Sequence, residues 1–293
     1  MLKQQKQTKN FFEKKARDWS KSSKHTSAGL INTIYQRNQY VIDNIQKYKL
    51  KNHLDVACGS GDLSFITSKI TDLSIGIDFS KKMIKIAKKK YKNKKLEFIC
   101  KSIFEYKTDK LFDCISANGF IEYLSIPQIK DFFKLSNEKL DKKGILIFGS
   151  RNRLFNIFSL NKFSRLENNL KTFNNFYEEA INLTNLKLIE FLRLKQKKFE
   201  KVKFRQPKTG GVKVDVRHQF SPLQLANILE KTNFKIIDIY PINYHPVPTS
   251  IFHEDKNYKF FSKYIYTSSK NNKLPMIPFS STFMIAAKKV RKK

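Results

Sequence analysis

Residues 54–62 read LDVACGSGD: an apolar run carrying Asp55, five small residues Ala57-Cys58-Gly59-Ser60-Gly61, and then Asp62. Glycine packs nothing and costs chain entropy, so two within five residues mark a place where backbone must approach something closely. A third acid, Asp78, ends another apolar run in GIDFS. Gly59, Gly61 and Ser64 nearly meet a dinucleotide fingerprint, with Asp78 standing where a ribose would be held. Charge argues for a different ligand. A pyrophosphate set between Asp55 and Asp62 would be repelled, whereas a ligand bearing an ammonium and a sulfonium would be attracted. Its ribose diol would suit Asp78.

Other reactive side chains are sparse. Of the five histidines, His53 precedes an apolar run and reads as structural, and His25 has no motif around it. His218, His245 and His253 lie late in the chain, and a general base is placed on His245 first and His218 second. Arg151, Asn152 and Arg153 follow one apolar run directly, and with Arg217 they offer donors suited to a phosphate or carboxylate on a substrate. Cys58, Cys100 and Cys114 sit in apolar segments without metal-type spacing, so they read as reduced core thiols and no metal is expected.

The elements that must position these residues alternate. Short apolar runs at 54–58, 73–78, 96–100, 112–117 and 144–150 are separated by helical patterns at 63–70, 81–91 and 128–140. That alternation predicts a doubly wound, mostly parallel α/β sheet, with ligands beyond the carboxyl ends of its strands. Helical spacing over 11–19 and 30–48 places N-terminal helices at 1–50, covering the site, and the core spans 51–150. Residues 151–217 break the alternation with helical runs at 175–183 and 186–199 and a loop QPKTGGVKV, which predicts a helical cap insertion. Its Phe155, Phe158 and Tyr177, with the later YHPVP loop, would wall a substrate pocket. Residues 218–293 complete the sheet with a helix at 221–233 and strands at 234–242 and 281–290.

LDVACGSGD with GIDFSKKMIKIA resembles the class I S-adenosylmethionine-dependent methyltransferases. The first motif is especially similar to that of the ubiquinone and menaquinone biosynthesis methyltransferases. The match covers residues 50–150, and FKIIDIYPI and STFMIAAKKV are similar to that fold's closing strands. The resemblance implies a Rossmann-like seven-stranded sheet whose last strand is antiparallel, and S-adenosylmethionine as cofactor. It assigns Asp55 and the turn Ala57, Cys58, Gly59, Ser60, Gly61 to the methionine end, and Asp78 to the ribose hydroxyls. Phe79 and Met83 fall beside the adenine, Ser102 and Ile103 at its edge, and Asn118 near the reactive methyl. Ala57 replaces the first family glycine, as in the quinone-type enzymes, and Ser102 stands where many members carry an acid.

SANGF replaces the Asn/Asp-Pro-Pro-aromatic tetrapeptide of amino-methylating DNA enzymes, and no Pro-Cys nucleophile of cytosine C5 enzymes occurs. RNRLFN and YHPVP are similar to segments of bacterial methyltransferases of envelope sugar and lipid pathways. The expectation is therefore O-methylation of a small or lipid-linked metabolite, an envelope sugar or a quinone-like ring. The formal charge of +33 keeps two further partners open, RNA and anionic membrane headgroups, although abundant Lys, Asn, Ile and Phe together also fit a compositional origin. The alternatives are an RNA methyltransferase and a non-catalytic binding protein of the same fold. The N-terminus has no apolar stretch of signal-peptide type and no run is of bilayer length, so a cytoplasmic protein, peripheral at the membrane where the acceptor is lipid-linked, is expected.

Overall fold

Runs rich in branched and aromatic residues become strands because both faces of a central sheet are covered. In the computed structural model, which describes residues 3–22, 33–194, 214, 217–250 and 273–290, seven such strands form. They are β1 Asn52–Val56, β2 Leu73–Asp78, β3 Leu96–Cys100, β4 Phe112–Ala117, β5 Leu140–Arg151, β6 Phe234–Tyr244 and β7 Ser280–Lys289. Their order is β3-β2-β1-β4-β5-β7-β6, and β7 runs antiparallel to both of its neighbours. Asp55 stands opposite Gly76 on one side and Ser116 on the other. The chain turns left from β1 to β2 and β3 but right to β4 and β5, so β1 and β4 splay their connections apart and leave a crevice at their carboxyl ends.

The helices begin where the sequence offers caps. On α4, Lys81–Lys90, the Ser80 hydroxyl accepts from the Met83 amide. Ser125 with Gln128 opens α5, Ile126–Lys139, and Ser221 with Gln224 opens the helix Pro222–Glu230, each as a capping box with proline in the first turn. Two helices precede β1, α1 Lys3–Ser22 and α2 Thr33–Tyr48, and α3, Asp62–Thr67, follows it. β1 ends at Val56 rather than at residue 58 because Ala57 turns to a φ of 57° and leaves the extended region.

The cap differs from expectation. Of its helices, α6 Phe155–Phe158, α8 Phe173–Asn185 and α9 Leu188–Phe191 pack into the main core, where Ile157, Phe176, Leu183 and Phe191 join Leu225 and Phe283, and α7 Lys162–Asn169 packs on α6 and α8. The run expected as one helix over 186–199 is a single turn within its described part, and residues 195–199 lie outside the described residues, as do 206–213 of the QPKTGGVKV loop and residues 251–272. Phe158 stacks 4.7 Å from Phe279, while Tyr177 is 50% exposed.

Asn152 and Arg153, expected as donors at a substrate rim, are buried structural residues instead. The Asn152 amide donates to the carbonyls of Ile277 and Ser280 at 2.6 and 2.8 Å, and its oxygen accepts from the Leu154 amide. The Arg153 guanidinium grips Glu167 in a fork of 3.0 and 2.8 Å and lies 4.6 Å over the Phe176 ring. Glu167, fully buried, also takes bonds from Asn156 and Thr172, so the cap is built around one carboxylate that draws Arg153 inward. Removing one partner of a buried pair strands the other. Arg153→Met should cost about 3–5 kcal/mol in chemical unfolding. Adding Glu167→Gln should return part of that loss, and an unchanged midpoint for the single variant would show that the pair does not hold the cap.

Candidate active site

The site begins with a buried carboxylate. Asp55, on β1 with only 2% of its surface exposed, accepts from Ser116 Oγ at 2.8 Å and from Ser64 Oγ at 2.7 Å. His53 lies one pleat earlier on the same strand face, its Nε2 2.9 Å from Ser116 Oγ and its Nδ1 2.8 Å from Thr67 Oγ1. Because the Ser116 proton goes to Asp55, Nε2 must donate to Ser116, and a ring kept neutral by burial then presents Nδ1 to Thr67 as an acceptor. Burial alone pulls His53 down to about 3, consistent with that assignment.

Beyond β1 the chain makes a turn that ordinary residues resist. Ala57, Gly59 and Gly61 have φ of 57°, 55° and 81°. At Gly61 an added Cβ would also lie 2.5 Å from the Phe98 ring, so this glycine serves packing rather than a ligand. The Cys58 amide donates to the Ile77 carbonyl at 3.0 Å, and the Gly59 amide donates to Asp78 Oδ2 at 3.0 Å. Asp78 Oδ1 accepts from the Ser80 amide at 2.8 Å. The acid that ends β2 thereby ties the turn to the neighbouring connection.

Two lobes open against this turn. The larger, about 300 Å³, is lined by Asp78, Phe79, Met83 and Ser102, together with Thr8 and Phe12 from α1. The smaller, about 120 Å³, is lined by Asp55, Cys58 and Ser60, with Arg37 from α2, Glu122 and Arg217. Phe12, Ala57, Gly59, Asn118, Gly119 and Tyr123 border both, so the lobes are parts of one cleft. The Asn118 amide is oriented by a bond to Asn38 at 3.1 Å. Ten of the twelve residues assigned to the cofactor line it; Gly61 and the buried Ile103 do not.

The electrostatics differ from the sequence reading at one point. Asp62 faces the smaller lobe, but Lys90, in the basic last turn of α4, reaches it at 2.8 Å. Tyr91 and Ser60 also donate to it. Its charge is met, and the uncompensated acids are Asp55 and Asp78. Burial pushes each up to about 6, against the hydrogen bonds that favour their charged forms, and among the described residues neither forms an ion pair.

On the opposite wall, Glu122 accepts from Arg217 Nε at 2.9 Å. Burial acts to push its carboxyl up, but Arg217, Arg37 and Arg151 together hold it below its ordinary value. Arg217, expected as a substrate contact, lines the smaller lobe, and Arg151 borders neither lobe. Neither expected base borders the cleft. His245 packs 4.8 Å from Phe155 and lies 3.3 Å from the Asn243 amide nitrogen, and burial lowers it to about 4. His218 donates its backbone N–H to the Glu122 carbonyl at 2.7 Å and is also lowered by burial. His25 and His253 lie outside the described residues. Sequence reasoning missed Glu122, Arg37 and Phe12. The one available signal was a lone acid amid apolar residues in SANGFIEYL.

Residues 54–144 match the family model described as a methyltransferase domain. Over 147 residues the chain is 31% identical to ubiquinone biosynthesis O-methyltransferase of Pelagibacter ubique (strain HTCC1062), a match covering 46% of this chain and 60% of that protein. The chain thus spans three fifths of the curated relative's length. Among solved structures it is similar to magnesium protoporphyrin IX methyltransferase from Synechocystis PCC 6803 with bound SAH. That likeness has a TM-score of 0.58 at 12% identity and covers 96% of this chain and 98% of that one. A second likeness, to an S-adenosylmethionine-dependent methyltransferase from Clostridium acetobutylicum ATCC 824, has a TM-score of 0.52 at 13% identity and covers 88% and 92%. At such identities the shared property is the fold.

The His53 assignment has a measurable consequence. His53→Leu leaves Ser116 and Thr67 short of a partner and should cost about 1–3 kcal/mol at pH 7. The native ring binds its proton far more weakly than the unfolded one, whose ordinary value is 6.5, so its stabilisation is present above that value and lost as pH falls. The deficit of the variant in urea unfolding should therefore shrink on going from pH 7 to pH 5. A deficit equal at both would mean that the ring is charged or hydrated.

Proposed function

We propose that the chain is a class I S-adenosylmethionine-dependent methyltransferase and that it O-methylates a small or lipid-linked metabolite, with S-adenosylmethionine as donor. The observation that carries this reading is the pair Asp55 and Asp78, one in each lobe, buried and, among the described residues, without an ion-pair partner. Buried carboxylates raised to about 6 favour a ligand that brings positive charge and hydroxyl donors. The smaller lobe also offers Arg37, so both charges of an amino-acid head group find a partner there. Asp78 suits the ribose hydroxyls, while Phe79, Met83 and Ser102 suit the adenine in the larger lobe. When bound, the donor supplies a methyl group already activated by its positive sulfur. The chain's task is then mainly positioning, with Asn118 and Tyr123 at the junction of the lobes.

A hydroxyl acceptor also calls for a proton acceptor. His218 adjoins Arg217 in the chain and His245 is enclosed by Phe155 and Asn243, so His218 becomes the stronger candidate of the two. An RNA acceptor draws less support than the net charge alone gave it. Among the described residues no lysine lines either lobe, so no basic stripe converges on the cleft. No described helix is long and apolar enough to cross a membrane. A lipid-linked acceptor would be met at the membrane surface, where a charge of +33 favours an anionic leaflet.

Two measurements test the reading. Asp78→Ala should weaken calorimetric binding of S-adenosylhomocysteine by about 1–3 kcal/mol through lost hydrogen bonds to the ribose; no loss would place the ribose elsewhere. Incubation with methyl-labelled donor and fractionated cell extract should label the small-molecule or lipid fraction. Label confined to RNA would move the acceptor class, and a chain that binds no donor would be a binding protein of this fold.

A further inference from the structure

The wall opposite the two acids holds more positive charge than it neutralises. Glu122 and Tyr123 belong to a short 3-10 turn, Ile121–Tyr123, just past the end of β4, and Glu122 is 2% exposed. Three separate segments send guanidinium groups toward it. Arg217 comes from the stretch before the helix Pro222–Glu230 and forms the 2.9 Å pair. Arg37 comes from α2, passes over Gly119, where an added Cβ would meet its terminal nitrogen at 3.0 Å, and donates to Thr282 Oγ1 at 3.3 Å. Arg151 ends β5, in register with Thr282 of β7.

Three cations against one carboxylate leave a surplus of two. Tyr123 does not reduce it, because burial, and after it Glu122, push the phenol well above its ordinary range and keep it neutral. Asp55 and Asp62 share the lobe, but Asp62 is paired with Lys90 and Asp55 is matched to the donor's ammonium. The Nε–H groups of Arg37 and Arg151 are shielded from solvent and have no acceptor among the described residues. Burial first, with repulsion from Arg217, draws both guanidiniums below the ordinary arginine value. Such an arrangement is costly in a closed protein and becomes favourable when a ligand brings the missing negative charge.

The donor's own carboxylate accounts for one of the two charges. Resting on the donor reading above, we propose that the other is matched by an anionic group on the methyl acceptor, a carboxylate or a phosphate. Arg217 faces it in the smaller lobe, and Arg151 adds its charge from behind. Arginine suits this role because its planar fork meets either oxyanion with two bonds. A neutral sugar hydroxyl or an unsubstituted ring would leave the surplus unmet, so the acceptor class narrows to acids and phosphate esters.

Calorimetry on the protein saturated with S-adenosylhomocysteine tests this with two probes, sodium benzoate for a carboxylate and phenyl phosphate for a phosphate. One of the two should bind saturably, and the stronger identifies the oxyanion. Arg217→Gln should weaken that probe by about tenfold or more while leaving S-adenosylhomocysteine affinity in place. Glu122→Gln removes the internal competitor and should tighten the probe several-fold, an outcome that a merely structural carboxylate would not give. Normal S-adenosylhomocysteine binding with neither probe bound, or equal probe affinity in Arg217→Gln, would overturn the anionic acceptor and leave the donor reading standing. Loss of S-adenosylhomocysteine binding in the unaltered protein would overturn the donor reading, and this proposal with it.

Discussion

A carboxylate held at the end of a central strand, away from water, is the constraint on which the rest of the molecule depends. Asp55 could not remain there without acceptor bonds, so Ser64 from α3 and Ser116 from β4 turn their hydroxyls toward it. Ser116 then requires a donor of its own, which the neutral His53 supplies, and His53 in turn requires Thr67. Three elements, β1, α3 and β4, are thus locked in register by the need to satisfy one acid. The same chain of bonds aims Asp55 at the lobe instead of into the sheet. Positioning and stability are here one set of interactions, since each bond that keeps the acid buried also fixes where it points.

The remaining free energy cost is not cancelled internally. Burial raises Asp55 and Asp78 to about 6, so both stay mostly charged at neutral pH in spite of the desolvation, and the turn between them uses three left-handed residues. Ala57 is the least comfortable of these, because its methyl group makes a φ of 57° costlier than it would be for glycine. Strain and desolvation that meet in one turn, beside buried acids in a well-packed sheet, mark the place where a ligand completes the structure.

How much of this was legible follows from the range of the interactions. The strands, the caps at Ser80, Ser125 and Ser221, and the bare turn are written in stretches of a few residues, where spacing and residue type decide the outcome. Asp55 and Asp78 were legible because strand ends in a doubly wound sheet point at one crevice. Asp62 was misread because its partners, Lys90 and Tyr91, lie 28 and 29 positions further on, at the end of a helix whose lysines look alike in sequence. Asn152 and Arg153 were misread for a related reason. Arginine after a strand looks like a substrate contact until Glu167, one helix later, is seen to claim it. Glu122 was missed because its three guanidiniums come from α2, β5 and the segment before the last helix, with no local signature.

The two misreadings and the omission share a physical lesson about charge in this chain. With 58 basic residues against 25 acids, a carboxylate that folds inward has many cations to draw on, and the sequence alone cannot say which of them, if any, it takes. Lys90 and Arg153 are each absorbed by one buried acid, and neither is left over to meet a ligand. The informative sites are therefore those where the pairing fails to close. Among the described residues two acids of the cleft lack a cation, while beside it three guanidiniums act on one acid. Were these imbalances chance products of a basic composition, they would be expected on the hydrated surface, where unpaired charge costs little. Both instead lie buried around one cleft, where low polarisability makes each unmatched charge expensive. Only a ligand whose own charges are arranged in the complementary order would relieve both at once, which is why the electrostatics of the walls, and not the overall charge, carries the functional reading.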